Sequence, residues 1–107
     1  MLRRRIAKLR PARRRLLRRL AATPMRRSHF LLSHMRGHIA DMGRIVSLCR
    51  RYDLCLIEDC AHTAGCRWGE QSIGTFGRAG CFSTQTYKHL NSGEGGLLVT
   101  DDDEVAA

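Results

Sequence analysis

Acidic residues are missing from the first quarter of this 107-residue chain. Residues 1–28 carry twelve of the nineteen bases and no acid, whereas residues 29–107 carry seven bases and all ten acids, a balance of −3. The overall charge of +9 therefore describes a tail, and the chain is not read as a basic nucleic-acid protein throughout. Paired cysteines are also missing. The five present (Cys49, Cys55, Cys60, Cys66, Cys81) form no CxxC, which excludes zinc ribbons and fingers. Cys60, His62 and Cys66 could surround a metal on paper, but reduced thiols in a cytoplasmic protein are the favoured reading, with no metal site. No apolar run approaches the roughly 20 residues that a membrane span requires, and the charged N-terminus does not resemble a secretory signal. The length leaves room for one core at most.

The chain is expected to divide at residue 28. Leu2, Ile6, Leu9, Leu16 and Leu20 recur at helical spacing among the arginines, with Pro11 interrupting them, so residues 1–28 read as a helical or disordered basic extension. Such a segment could bind nucleic acid or an anionic surface, or be a solvated extension. No aromatics interleave the arginines, and nucleic acid is not the expected partner.

Residues 29–107 read as α/β. His29–Ser33 is a short apolar run that suits a buried strand, and Leu54–Ile57, apolar without alternation, suits a strand of a parallel sheet covered on both faces. Between them Gly37 and His38 predict a turn, Asp41 a helix N-cap, and Met42, Ile45, Val46, Leu48 and Cys49 an apolar helix face running to about Tyr52. This order is a βαβ unit. Further strands are expected at Ala79–Ser83 and over Gly95–Thr100, with a helix opening at Asp101–Glu104.

Asp59, at a strand end, is placed where open α/β sheets carry their chemistry, with His62 three residues on. Lys88 is the only lysine of the body, in a polar loop between strands. Arginine supplies plain charge everywhere else. A lysine retained there suggests use of its primary amine, which can condense with an aldehyde as guanidinium cannot. Taken singly, each residue has a plainer reading: a turn cap for Asp59, a core hydrogen bond for His62, a strand residue for Ser83, a surface charge for Lys88.

Together these residues carry a resemblance. Ile57-Glu58-Asp59-Cys60-Ala61-His62, then Gly65, Gly74 and Gly77, Phe82-Ser83, Lys88 and Gly93-Glu94-Gly95-Gly96 follow one another as in the DegT/DnrJ/StrS family of sugar aminotransferases. His34–Met42 resembles the segment that precedes that motif. The likeness covers about residues 29–107. It implies part of a type I PLP-transferase large domain, a mostly parallel sheet with flanking helices, binding pyridoxal 5'-phosphate (PLP). It further implies that Lys88 forms the internal aldimine and shuttles the proton, Asp59 pairs with the pyridinium nitrogen, His62 lies beside the ring, and Ser83 bonds the phosphate. Asn91 and Glu94 would support loop shape. The implied reaction moves an amino group from an amino acid, glutamate, to a keto-sugar nucleotide, in a cytoplasmic homodimer. Relatives that are dehydratases carry histidine at the lysine position. Here Phe82-Ser83 and Gly93–Gly96 fix the register on Lys88 rather than His89, favouring aminotransferase.

Family members are several times longer, so a truncated gene product that folds poorly and has little activity alone is expected. The competing function is a non-catalytic remnant whose basic N-terminal helix does the binding.

Overall fold

The computed structural model describes residues 5–8, as backbone, and residues 28–107. Strand β1 is Arg5–Lys8 and β2 is His29–Ser33, followed by a 3-10 turn at Met35–Gly37. Helix α1 spans Met42–Arg51, β3 Cys55–Asp59, β4 Arg67–Trp68, β5 Gln71–Ser72, β6 Ala79–Ser83, β7 Gly96–Thr100, and α2 Asp103–Ala106. Five strands form one sheet in the order β1-β7-β6-β3-β2, and β4 and β5 pair separately as a small hairpin. β2, β3 and β6 run parallel, while β7 lies antiparallel between β6 and β1. The mostly parallel α/β architecture expected from the sequence is present.

Three expectations are corrected. His29–Ser33 forms a strand as expected, but four of its five residues are exposed rather than buried, because β2 is an edge of the sheet among the described residues. Arg5–Lys8 pairs with Leu97–Thr100 as a strand, so these four residues are not part of a helix. The remaining residues of the basic extension lie outside those described. Leu48 is exposed rather than on the inner face of α1. The stripe that packs inward is Met42, Ile45, Val46 and Cys49, at the i, i+3, i+4, i+7 spacing of one helix face, and Leu48 falls off it.

α1 begins where predicted. The Asp41 carboxylate accepts from the Arg44 amide at 3.0 Å, satisfying one of the free donors of the first turn. It ends in a Schellman arrangement. Asp53 takes a positive φ of 51°, and the Leu54 amide reaches back to the Cys49 carbonyl at 2.8 Å. That reversal delivers the chain directly into β3. The inner stripe of α1 meets Leu56, Cys60 and Ile73 in the core, with Leu32, Phe76 and Phe82 packed around them. No helix among the described residues is long and apolar enough to cross a membrane.

The loop between the hairpin and β6 packs tightly enough to require glycine. A Cβ at Gly74 would come within 2.5 Å of the Phe82 ring, and one at Gly80 within 2.3 Å of the Gly74 carbonyl oxygen. Gly74 also has a φ of 84°, a conformation in which L side chains are strained. Backbone therefore stacks on backbone beside the end of β3.

Candidate active site

Because β2, β3 and β6 are parallel, their carboxyl ends share one sheet edge, and the residues found there are Ser33, Asp59 and Ser83. Ser33 is the register partner of Asp59 on one side, and Cys81 on the other. The half-buried Asp59 carboxylate is held twice. Its Oδ2 accepts from the Ser33 hydroxyl at 2.9 Å, and its Oδ1 from the Ala61 amide at 3.1 Å. The second contact turns the chain sharply after β3 and brings His62 to the same edge.

Lys88 arrives from the loop between β6 and β7. Its Nζ lies 2.7 Å from His62 Nε2, and both side chains are half-buried. Three of the four residues selected from sequence are thus gathered within one turn of chain and its contacts: Asp59, His62 and Lys88. The fourth, Ser83, opens the Lys88 loop, where its hydroxyl accepts from the Gln85 amide at 3.3 Å.

The loop is shaped by its own side chains. Asn91 donates to the Thr86 carbonyl at 2.8 Å and accepts from the Gly93 amide at 2.9 Å. The Thr86 hydroxyl donates to the Gly93 carbonyl at 2.9 Å, and Ser92 donates to Thr84 Oγ1 at 2.8 Å. Asn91 therefore has the loop-forming role expected of it. Glu94, by contrast, takes part here only through its backbone carbonyl, which receives a long 3.5 Å bond from Ser92.

Beneath the site lies a polar group that sequence reasoning passed over. The Glu58 side chain is fully buried, and its two oxygens accept from the amides of Gly74, Phe76 and Gly77 at 2.9, 2.8 and 2.9 Å. Buried His34 adds Nε2 at 3.4 Å. Glu58 thereby ties the glycine loop to the strand residue preceding Asp59. An acid directly after the apolar run Cys55–Ile57 was the available signal, since a carboxylate is buried only where donors meet it. Ser33 was passed over too. A hydroxyl ending an apolar strand two positions from a βαβ turn was its signal.

The metal grouping considered from sequence does not assemble as Cys60, His62 and Cys66. Cys60 instead lies with His34 and Glu58, their ligand atoms within 4.8 Å of one another and all three residues buried. Glu58 is already committed to three amides. Burial, and then the charge of Glu58, push the Cys60 thiol up to about 12, so a thiolate is strongly disfavoured. The trio is best described as hydrogen-bonded core.

A family model described as the DegT/DnrJ/EryC1/StrS aminotransferase family matches residues 19–107. The chain belongs to this family. The match starts ahead of residue 29, inside the arginine-rich segment. An L-glutamine:scyllo-inosose aminotransferase of Streptomyces griseus is 43% identical over 86 residues, 80% of this chain and 20% of its own length. An L-glutamine:2-deoxy-scyllo-inosose aminotransferase of Micromonospora echinospora is 40% identical over 82 residues, 77% of this chain and 19% of the relative. The chain thus spans about a fifth of the length of these relatives. Among solved structures, DesI in the presence of its TDP-sugar product superposes with a TM-score of 0.68 at 32% identity, covering 81% of this chain and 22% of that one. The Escherichia coli GDP-4-keto-6-deoxy-D-mannose-3-dehydratase with bound hydrated PLP gives a TM-score of 0.69 at 27% identity, covering 85% and 23%. The proteins that this chain resembles thus include named aminotransferases and a named dehydratase.

Proposed function

We propose that residues 29–107 form the cofactor-anchoring part of a PLP-dependent aminotransferase, with Lys88 as the residue that binds PLP. The observation that carries this reading is the 2.7 Å approach of Lys88 Nζ to His62 Nε2, three residues beyond Asp59, at the carboxyl edge of the parallel strands. The residues present fit the cofactor. A primary amine is available for its aldehyde, a carboxylate with two fixed donors for its ring nitrogen, an imidazole beside the amine, and a hydroxyl for its phosphate.

PLP, when bound, supplies an electron sink for the pair left at the donor's α-carbon on loss of its proton. The protein's part is placement and proton handling. Asp59 would hold the ring N–H and, by its charge, keep that nitrogen protonated. The Ser83 hydroxyl would bond a phosphate oxygen. The Lys88 amine would take the α-carbon proton and return it, and His62 would keep that amine aimed between its two positions.

The names of the relatives refine the substrates inferred from resemblance. Both act on scyllo-inosose compounds with L-glutamine. L-Glutamine with a keto-cyclitol acceptor is therefore preferred here to glutamate with a keto-sugar nucleotide. Lys88, rather than histidine at that position, supports amino transfer over dehydration.

Titration of the purified chain with PLP, followed by visible absorbance, tests the assignment. A band attributable to covalently held cofactor is expected in the wild type and should be abolished in Lys88→Ala. A band of equal strength in both proteins would refute it.

A further inference from the structure

Ser33 is the last residue of β2, and the parallel register sets it directly beside Asp59, the last residue of β3. Its hydroxyl donates to Asp59 Oδ2 at 2.9 Å, while the Ala61 amide donates to Oδ1 at 3.1 Å. The two donors come from different elements, one from the neighbouring strand and one from the turn that follows β3. Each carboxylate oxygen has two acceptor positions, so one donor apiece leaves each oxygen free to take another. With both oxygens held, rotation of the carboxylate about its own axis is restricted, and the free acceptor positions keep a fixed direction. Remove the hydroxyl and only the amide on Oδ1 remains.

We infer that Ser33 is a positioning residue for the cofactor, acting through Asp59: it fixes the orientation in which that carboxylate receives the pyridinium N–H. This rests on the PLP reading above. Ser33 is itself exposed, so trimming its hydroxyl removes little from the packed core. An effect on cofactor uptake without an effect on folding is what distinguishes positioning from structural support.

The test compares wild type, Ser33→Ala, Ser33→Thr and Lys88→Ala by PLP titration, recording the dissociation constant and the position of the visible band, with thermal unfolding alongside. Loss of one oriented hydrogen bond predicts a roughly three- to ten-fold weaker PLP affinity in Ser33→Ala. Threonine keeps the hydroxyl and suits a strand, so Ser33→Thr should return most of that affinity. The unfolding midpoints of both Ser33 variants should stay within about 2 °C of wild type. The inference is overturned if Ser33→Ala binds as wild type does, or if Ser33→Thr is as weak as Ser33→Ala. Those results leave the PLP reading standing whenever the wild-type band depends on Lys88. A wild type that takes up no PLP through Lys88 removes both.

Discussion

Glu58 and Asp59 are adjacent carboxylates with opposite fates, because successive strand residues point to opposite faces of a sheet. Asp59 lies at the half-buried sheet edge with an acceptor position left on each oxygen, whereas Glu58 points into the core and is consumed by three amides. Removing the Glu58 side chain would leave those amides without their acceptors, that of Gly74 buried and those of Phe76 and Gly77 half-buried. Glu58→Ala is therefore expected to lower the unfolding free energy by about 3 kcal/mol or more, measured by chemical denaturation. Glu58→Gln, which keeps one acceptor oxygen, should lose clearly less. Equal stability of wild type and Glu58→Ala would show that the loop at Gly74–Gly77 does not depend on this anchor. Asp59, His62 and Lys88 could be picked out in the sequence because their spacing resembles a family pattern. For Glu58 the sequence offered only an acid following an apolar run, and its inward direction came from the structure.

At the level of elements, the short helix α2 is fastened to the sheet by charge. Asp102 caps it, its Oδ1 accepting from the Glu104 and Val105 amides at 2.8 and 3.3 Å. Its Oδ2 accepts from Arg78 Nε, just before β6, at 2.6 Å. Burial by itself would raise the Asp102 carboxyl, but the Arg78 hydrogen bond, the two amides and the Arg78 charge together bring it below the usual carboxylate range. A carboxyl depressed on folding adds stability above its unfolded value, near 4, and that stability is lost as pH falls through the lower folded value. Asp102→Asn retains a capping oxygen and deletes the charge. It should cost about 1 kcal/mol at neutral pH, with the difference from wild type closing as pH drops below about 4. Thermal melts of both proteins across that range check this, and a difference that stays constant with pH would count against it. Strand and helix positions here were readable from apolar periodicity and caps. The β4–β5 hairpin was not, since two-residue strands rest on hydrogen bonds rather than on a side-chain pattern. Arg5–Lys8 was misread because its partner, Leu97–Thr100, lies some ninety positions away and local spacing cannot report it.

For the whole molecule, the sheet is open on the β2 side. The outer edge of β2 pairs with no described strand, and Leu31 is 66% exposed there beside partly covered Phe30. Together with coverage of about a fifth of the relatives' length, this supports an expectation of little or no turnover by the 107-residue chain supplied with PLP, L-glutamine and a keto-cyclitol, assayed by amino-group transfer. Turnover at rates ordinary for an enzyme, about 1 per second or faster, would overturn that expectation. By itself the sequence determined the βαβ order and the start of α1, because periodicity and capping residues are local properties of the chain. Only the tertiary structure decided that Ser33 holds Asp59, that Lys88 meets His62, and that Glu58 is structural. Each of those depends on strand register and side-chain direction, set when segments 16 to 26 residues apart pack against one another.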